Sequence, residues 1–129
     1  MRLFFYLLSC AVFVVLASCS RGKVDVAVWN EGGAVDNVWL EWEGETVKIG
    51  NLAPGSKAKI AIHPHIESPL TVAYHRDGPF VCRNEAYFDS DWRGVICVQL
   101  LTDDIAKFSW IDRNGDSSAV TVECTRKGL

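Results

Sequence analysis

From Lys23 onward the chain alternates apolar and polar residues with period two, in short bursts separated by turn residues, which is the pattern of strands whose two faces meet different surroundings. Val24, Val26 and Val28 fall on one face, with Asp25, Ala27 and Trp29 on the other. Val38, Leu40 and Trp42 repeat the arrangement against Trp39, Glu41 and Glu43, and Gly44-Glu45 turns the chain into a short Val47-Lys48-Ile49 segment. Pro54-Gly55 marks the next turn, since proline presets φ and glycine accepts a positive value. Beyond it Ala58, Ile60 and Ile62 form an inner face, with Lys57, Lys59 and Ala61 outside. Leu70, Val72 and Tyr74 make a fifth strand, ended by Asp77-Gly78-Pro79, and residues 80–88 and 94–101 read as two more, the second with Ile96, Val98 and Leu100 inward. No window longer than a turn or two carries helical spacing, so the domain is predicted to be all-β.

The last hairpin can be registered from parity alone. Phe108 and Trp110 look inward on one strand and Val120 and Val122 on the other, with Asn114-Gly115 between. A two-residue loop would set Phe108 against Thr121. A three-residue loop, Arg113-Asn114-Gly115 with Gly115 left-handed, pairs Phe108 with Val120 and Ala106 with Val122, and is the predicted form. Eight or nine short strands in one domain predict an antiparallel two-sheet sandwich of immunoglobulin-like or fibronectin-like type, with a small closed barrel as the rival.

The first eighteen residues follow a different rule. Arg2 precedes an apolar run from Leu3 to Leu16, which is too short for a membrane span of about 20 residues and has no cluster of charge after it to stop transfer. This reads as a secretory signal. Its end, Leu16-Ala17-Ser18-Cys19, resembles the lipobox of bacterial lipoproteins. That resemblance implies cleavage before Cys19, acylation of Cys19 and a stable membrane anchor. Ser20, in place of the aspartate that commonly retains lipoproteins at the inner membrane, implies the periplasmic face of an outer membrane. The expected organisation is therefore a signal peptide at 1–18, a lipidated cysteine and tether at 19–23, and a β-sandwich at 24–129. Residues 20–23 span at most about 14 Å, which holds the domain against the membrane. Val24 to Tyr74, with Asn30 after the first strand, Pro54-Gly55 and a lysine-rich strand following, also resembles the opening of small bacterial β-sandwich lipoproteins, a likeness that implies fold and no activity.

Cleavage leaves 111 of 129 residues, enough for one core. It removes one charge, Arg2, moving the formal balance from −3 to −4. A mildly acidic domain without a basic patch is a poor ligand for nucleic acid. Of the five cysteines, Cys82, Cys97 and Cys124 remain available for one bridge in an oxidising compartment. With the last four strands taken as a meander, Cys82 and Cys124 share one end and the inward parity of Phe80 and Val122, so they are the predicted pair. Cys97 reads as a small buried apolar residue.

Candidate chemistry is sparse. His63, His65 and His75 invite a metal reading, but if the strands around 57–63 and 70–76 pair across their loop, His63 and His75 lie about 16 Å apart, and no metal or other cofactor is expected. Asp112, Asn114, Asp116 and Glu123 fall at calcium-loop positions 1, 3, 5 and 12, yet Ser117 stands where glycine is required, and a hairpin turn accounts for them. Asp89 with Asp91 and Asp103 with Asp104 read as solvated turn residues. No serine elbow, phosphate loop or zinc-spaced cysteine pair occurs, so neither catalysis nor a small-molecule substrate is expected.

What remains is aromatic. Trp29 and Trp39 take the parity opposite their strands' valines and would stand side by side on an outer face if those strands pair, with Trp92 adding a third ring from the loop between Tyr87 and Gly94. Exposed tryptophans anchor protein partners and flat sugar faces. The expected function is a non-catalytic, lipid-anchored binding or assembly module of the cell envelope, its partners the membrane and another envelope protein. The alternatives are a protective lipoprotein of the immunity or inhibitor kind, using Asp89-Ser90-Asp91-Trp92 as a plug, and a metal-handling domain using the histidines.

Overall fold

A computed structural model describes residues 24–42, 45–63, 68–88 and 92–127. The signal, Cys19 and the tether predicted from sequence lie outside the described residues. Ten strands form two five-stranded sheets: β1 (Val24–Asn30), β2 (Val35–Trp42), β3 (Glu45–Leu52), β4 (Lys57–Ile62), β5 (Ser68–His75), β6 (Pro79–Phe88), β7 (Gly94–Leu100), β8 (Ile105–Asp112), β9 (Ser117–Glu123) and β10 (Thr125–Arg126). The first sheet has the order β4-β1-β7-β8-β9 and the second β10-β6-β5-β2-β3.

The period-two pattern explains the core. Val24, Val26 and Val28 of β1, Ile96, Val98 and Leu100 of β7 and Phe108 of β8 project from the first sheet to meet Leu40 and Trp42 of β2, Leu70, Val72 and Tyr74 of β5, and Phe80 and Cys82 of β6. Alternation alone does not locate the start of β2. Val35 and Val38 are both buried although three residues apart, because a bulge at Asp36–Asn37 inserts a residue into the ladder and Asn37 takes φ +50°. The final hairpin follows its predicted register, with Phe108 opposite Val120, Ala106 opposite Val122, and Gly115 at φ +88°.

Three expectations about topology are corrected. First, the sandwich is not wholly antiparallel: β1 runs parallel to β7, so the first sheet is mixed. The short connection after β6 delivers the chain to the end where β1 begins, and β7 then has to run the same way as β1. Second, β4 and β5 do not pair; β4 pairs with β1 in the first sheet and β5 with β2 and β6 in the second. Third, the last strands are not one meander, because β6 belongs to the second sheet and only β7, β8 and β9 run on consecutively. The predicted Cys82–Cys124 bridge is nevertheless present, with the two Cα atoms 4.3 Å apart. It joins β6 to the residue after β9, where the chain crosses between sheets and adds the two-residue β10 to the edge of β6. Cys97 is buried as expected, packed with Ala27, Val95 and Ile111 on the outer face of the first sheet, but it is disulfide-bonded, to a cysteine outside the described residues.

Candidate functional site

The sandwich places the three candidate tryptophans in three settings. β1 pairs with β4 and β7, whereas β2 pairs with β3 and β5. Trp29 and Trp39 therefore stand on opposite outer faces rather than side by side. The sequence parity was right for each residue, and the assumption that their strands pair was not. Trp29 is half-buried, with the Lys57 ammonium 5.3 Å from its ring centre.

Trp92 turns inward. Its ring meets Phe88 edge-on at 4.9 Å, and Phe88 also contacts Trp110 at 5.4 Å and Trp42 at 5.3 Å, so four aromatic rings close one end of the sandwich. The loop lies this close because residue 94 is glycine. A Cβ there would sit 2.1 Å from the Ile111 carbonyl oxygen and 2.9 Å from the Trp92 ring. Beside this plug is a polar hollow of about 320 Å³ lined by Trp92, Arg93, Asp112, Arg113 and Asn114. Its acid is engaged in holding the turn, since Asp112 Oδ1 accepts from the amides of Asn114 and Asp116, each at 2.9 Å. That accounts for Asp112, Asn114 and Asp116 as hairpin residues.

Trp39 is different. At 39 % exposure it is the one large hydrophobic side chain left exposed among the described residues. Cross-strand register sets it in a row with Lys48, Ala73 and Val81, and the next row on the same face holds Thr46, Glu41, Thr71 and Arg83. Because Ala73 and Thr71 are short, a shallow hollow of about 60 Å³ opens beside the indole, lined by Trp39, Glu41, Thr71, Ala73, Val81 and Lys127. Lys127 reaches it because β10 and the Cys82–Cys124 bridge bring the chain's last described residue to this sheet.

The remaining candidates do not converge. His63 follows β4 at the end where β1 begins, and His75 closes β5 in the other sheet at the opposite end, roughly 20 Å away along the strand direction. His65 lies outside the described residues, as do Asp89, Ser90 and Asp91. Among the described residues no three potential metal ligands cluster.

Sequence reasoning missed two polar centres. Asn30 occupies the inward parity of β1 and is fully buried. Its Nδ2 donates to the Gly33 and Leu52 carbonyls at 2.9 Å and its Oδ1 accepts from the Gly32 amide, so one side chain ties the turn after β1 to the end of β3. A polar residue on an apolar parity was the available signal. The second centre corrects the reading of Asp104 as a solvated turn residue. Tyr74 donates to Asp104 Oδ1 at 2.8 Å, and Arg76 lies 5.4 Å over the Tyr74 ring while donating to the Gly33 carbonyl at 3.1 Å. Burial, and then the Asp104 carboxylate, pushes the Tyr74 hydroxyl well above the usual phenol range. Both centres are built for holding loops.

No family model matches the chain, and no curated protein matches it. A solved structure, an NMR structure of a protein from Eubacterium rectale, is similar with a TM-score of 0.48 at 10 % identity, over 84 % of this chain and 92 % of that one. No activity is carried over from it.

Proposed function

We propose that this chain is a non-catalytic binding or assembly module of the bacterial cell envelope, an immunoglobulin-like or fibronectin-like sandwich held by a lipidated Cys19 at the periplasmic face of the outer membrane. The observation that carries the binding part is the exposed Trp39 beside its hollow. Burying a tryptophan of this size removes 150–250 Å² from water, so leaving it on a sheet face whose other side chains are short or charged costs solubility without helping the core. A partner that covers it recovers that free energy. The lipobox-like Leu16-Ala17-Ser18-Cys19 supports the anchoring part, which requires that Cys19 not be the disulfide partner of Cys97, since an acylated sulfur cannot also bridge; the short tether would then keep the domain close to the membrane.

The test is a crosslinked pull-down from envelope membranes with the intact protein, Trp39→Ala and Trp29→Ala. A stoichiometric resident component retained by Trp29→Ala and lost by Trp39→Ala is the expected result. Equal recovery by all three proteins would move the binding face elsewhere.

A further inference from the structure

We propose that the Trp39 hollow takes a pyranose ring of a glycan chain; this rests on the binding-face reading above and names its ligand class. A stable protein interface buries about 800 Å² per partner around an apolar centre. Among the described residues, the apolar side chains next to Trp39 are Ala73 and Val81, bordered by Lys48, Glu41, Thr71, Arg83 and Lys127. The hollow of about 60 Å³ is too small to enclose a ligand, so a flat ligand would lie across it beside Trp39, with the polar groups at its border.

The polar groups have a specific chemistry. Glu41 offers only acceptors and Lys127 only donors, while the Thr71 hydroxyl does both. A sugar hydroxyl also donates and accepts, so a ring seated between Glu41 and Lys127 satisfies each in its own sense. A pyranose meanwhile presents an apolar C–H face that can cover the exposed part of the Trp39 indole. An aliphatic ligand would leave the borders unused, and a purely anionic one would meet the Glu41 carboxylate. The contact is small, so one ring binds in the millimolar range, and useful retention comes from many tethered copies engaging one polymer.

The experiment uses the full chain, purified in a zwitterionic detergent lacking a sugar headgroup. It is screened on an array of β-1,4-linked glucose, N-acetylglucosamine and alternating N-acetylglucosamine/N-acetylmuramic acid oligomers, and each hit is titrated by ligand-observed NMR, a readout that does not depend on the tryptophan being replaced. The expected result is binding to at least one oligomer, weakened tenfold or more in Trp39→Ala, severalfold in Glu41→Gln, less than fivefold in Trp39→Phe, and unchanged in Trp29→Ala. If circular dichroism shows Trp39→Ala unfolded, Trp39→Phe and Glu41→Gln decide, and a Glu41→Gln that binds like the parent overturns the assignment. Absence of binding across the array overturns it as well. A photo-crosslinker at Thr71 in cells then separates the two readings: capture of a stoichiometric protein, with no glycan bound, leaves a binding face and removes the sugar, while capture of nothing removes both.

Discussion

Replacing Cys82 and Cys124 together by alanine tests how the second sheet is closed and how Lys127 is brought to the candidate site. The two cysteines are separated by 42 residues and joined across the edge of the sandwich. Closing a loop of that length in the unfolded chain removes about 13 cal/mol/K of entropy, equivalent to about 4 kcal/mol at 25 °C. Residual structure in the denatured state reduces this toward about 2 kcal/mol. For a domain of about 106 residues the corresponding fall in Tm is roughly 10–20 °C. Strand β10 is the element most dependent on the bridge. Its ladder consists of Thr125 opposite Val81 and Arg126 opposite Phe80, followed by the Lys127 amide donating to the Pro79 carbonyl at 2.9 Å. Urea denaturation followed by circular dichroism gives the stability change, and hydrogen exchange of the Lys127 amide reports whether β10 frays first. A loss under about 1 kcal/mol would refute the loop-closure reasoning, and peptide mapping that joins Cys82 to another cysteine would refute the pairing itself.

Other expectations are simpler to state. Tyr74→Phe removes a charge-assisted hydrogen bond to Asp104 and lowers stability by about 1.5–2 kcal/mol, read by chemical denaturation. Because the folded hydroxyl titrates above its unfolded value of about 10, the protonated form is the one the native state favours. The stabilisation is therefore complete below pH 10 and is lost as pH rises beyond it; a pH–stability profile of Tyr74→Phe that keeps the parent's alkaline slope would contradict this. Gly94→Ala forces a Cβ against the Ile111 carbonyl and costs about 3 kcal/mol or more, with Trp92 displaced from the aromatic plug as a change in near-ultraviolet circular dichroism. Cys19→Ser abolishes incorporation of labelled palmitate and shifts the protein from the membrane to the soluble fraction; incorporation that persists would remove the anchoring proposal.

The inner faces were legible where burial follows parity, as in β2 and β4; in β1 and β7 it does not, because Asp25, Ala27, Val95, Cys97 and Gln99 of the outer face are buried as well. The inward valines and leucines were recognised by their alternation with polar residues, and the hairpin at Arg113–Gly115 could be registered because only one loop length put apolar residues opposite one another. Which strands are neighbours was not legible. Nothing in β1 or β2 says that a ten-strand chain will send them to different sheets, since both choices bury the same alternate residues. This is why Trp29 and Trp39 were each placed on an outer face correctly and set beside each other wrongly. The bulge at Asn37 hid the first residues of β2 for a related reason, a single inserted residue having broken the period on which the reading depends. The disulfide was identified because Cys82 shares the inward parity of Phe80, which holds in whichever sheet β6 lies. The hollow beside Trp39 could not be foreseen, because Ala73, Val81 and Lys127 reach it only through the pairing order of the second sheet.

The most direct test of the account is hydroxyl-radical footprinting of Trp39 in the native envelope against the purified protein, with Trp29 on the opposite outer face as internal reference. A covered binding face predicts that oxidation of Trp39 falls at least fivefold in the envelope while Trp29 is unchanged. Equal oxidation of Trp39 in both settings would show the face uncovered where the protein works, and would contradict the account.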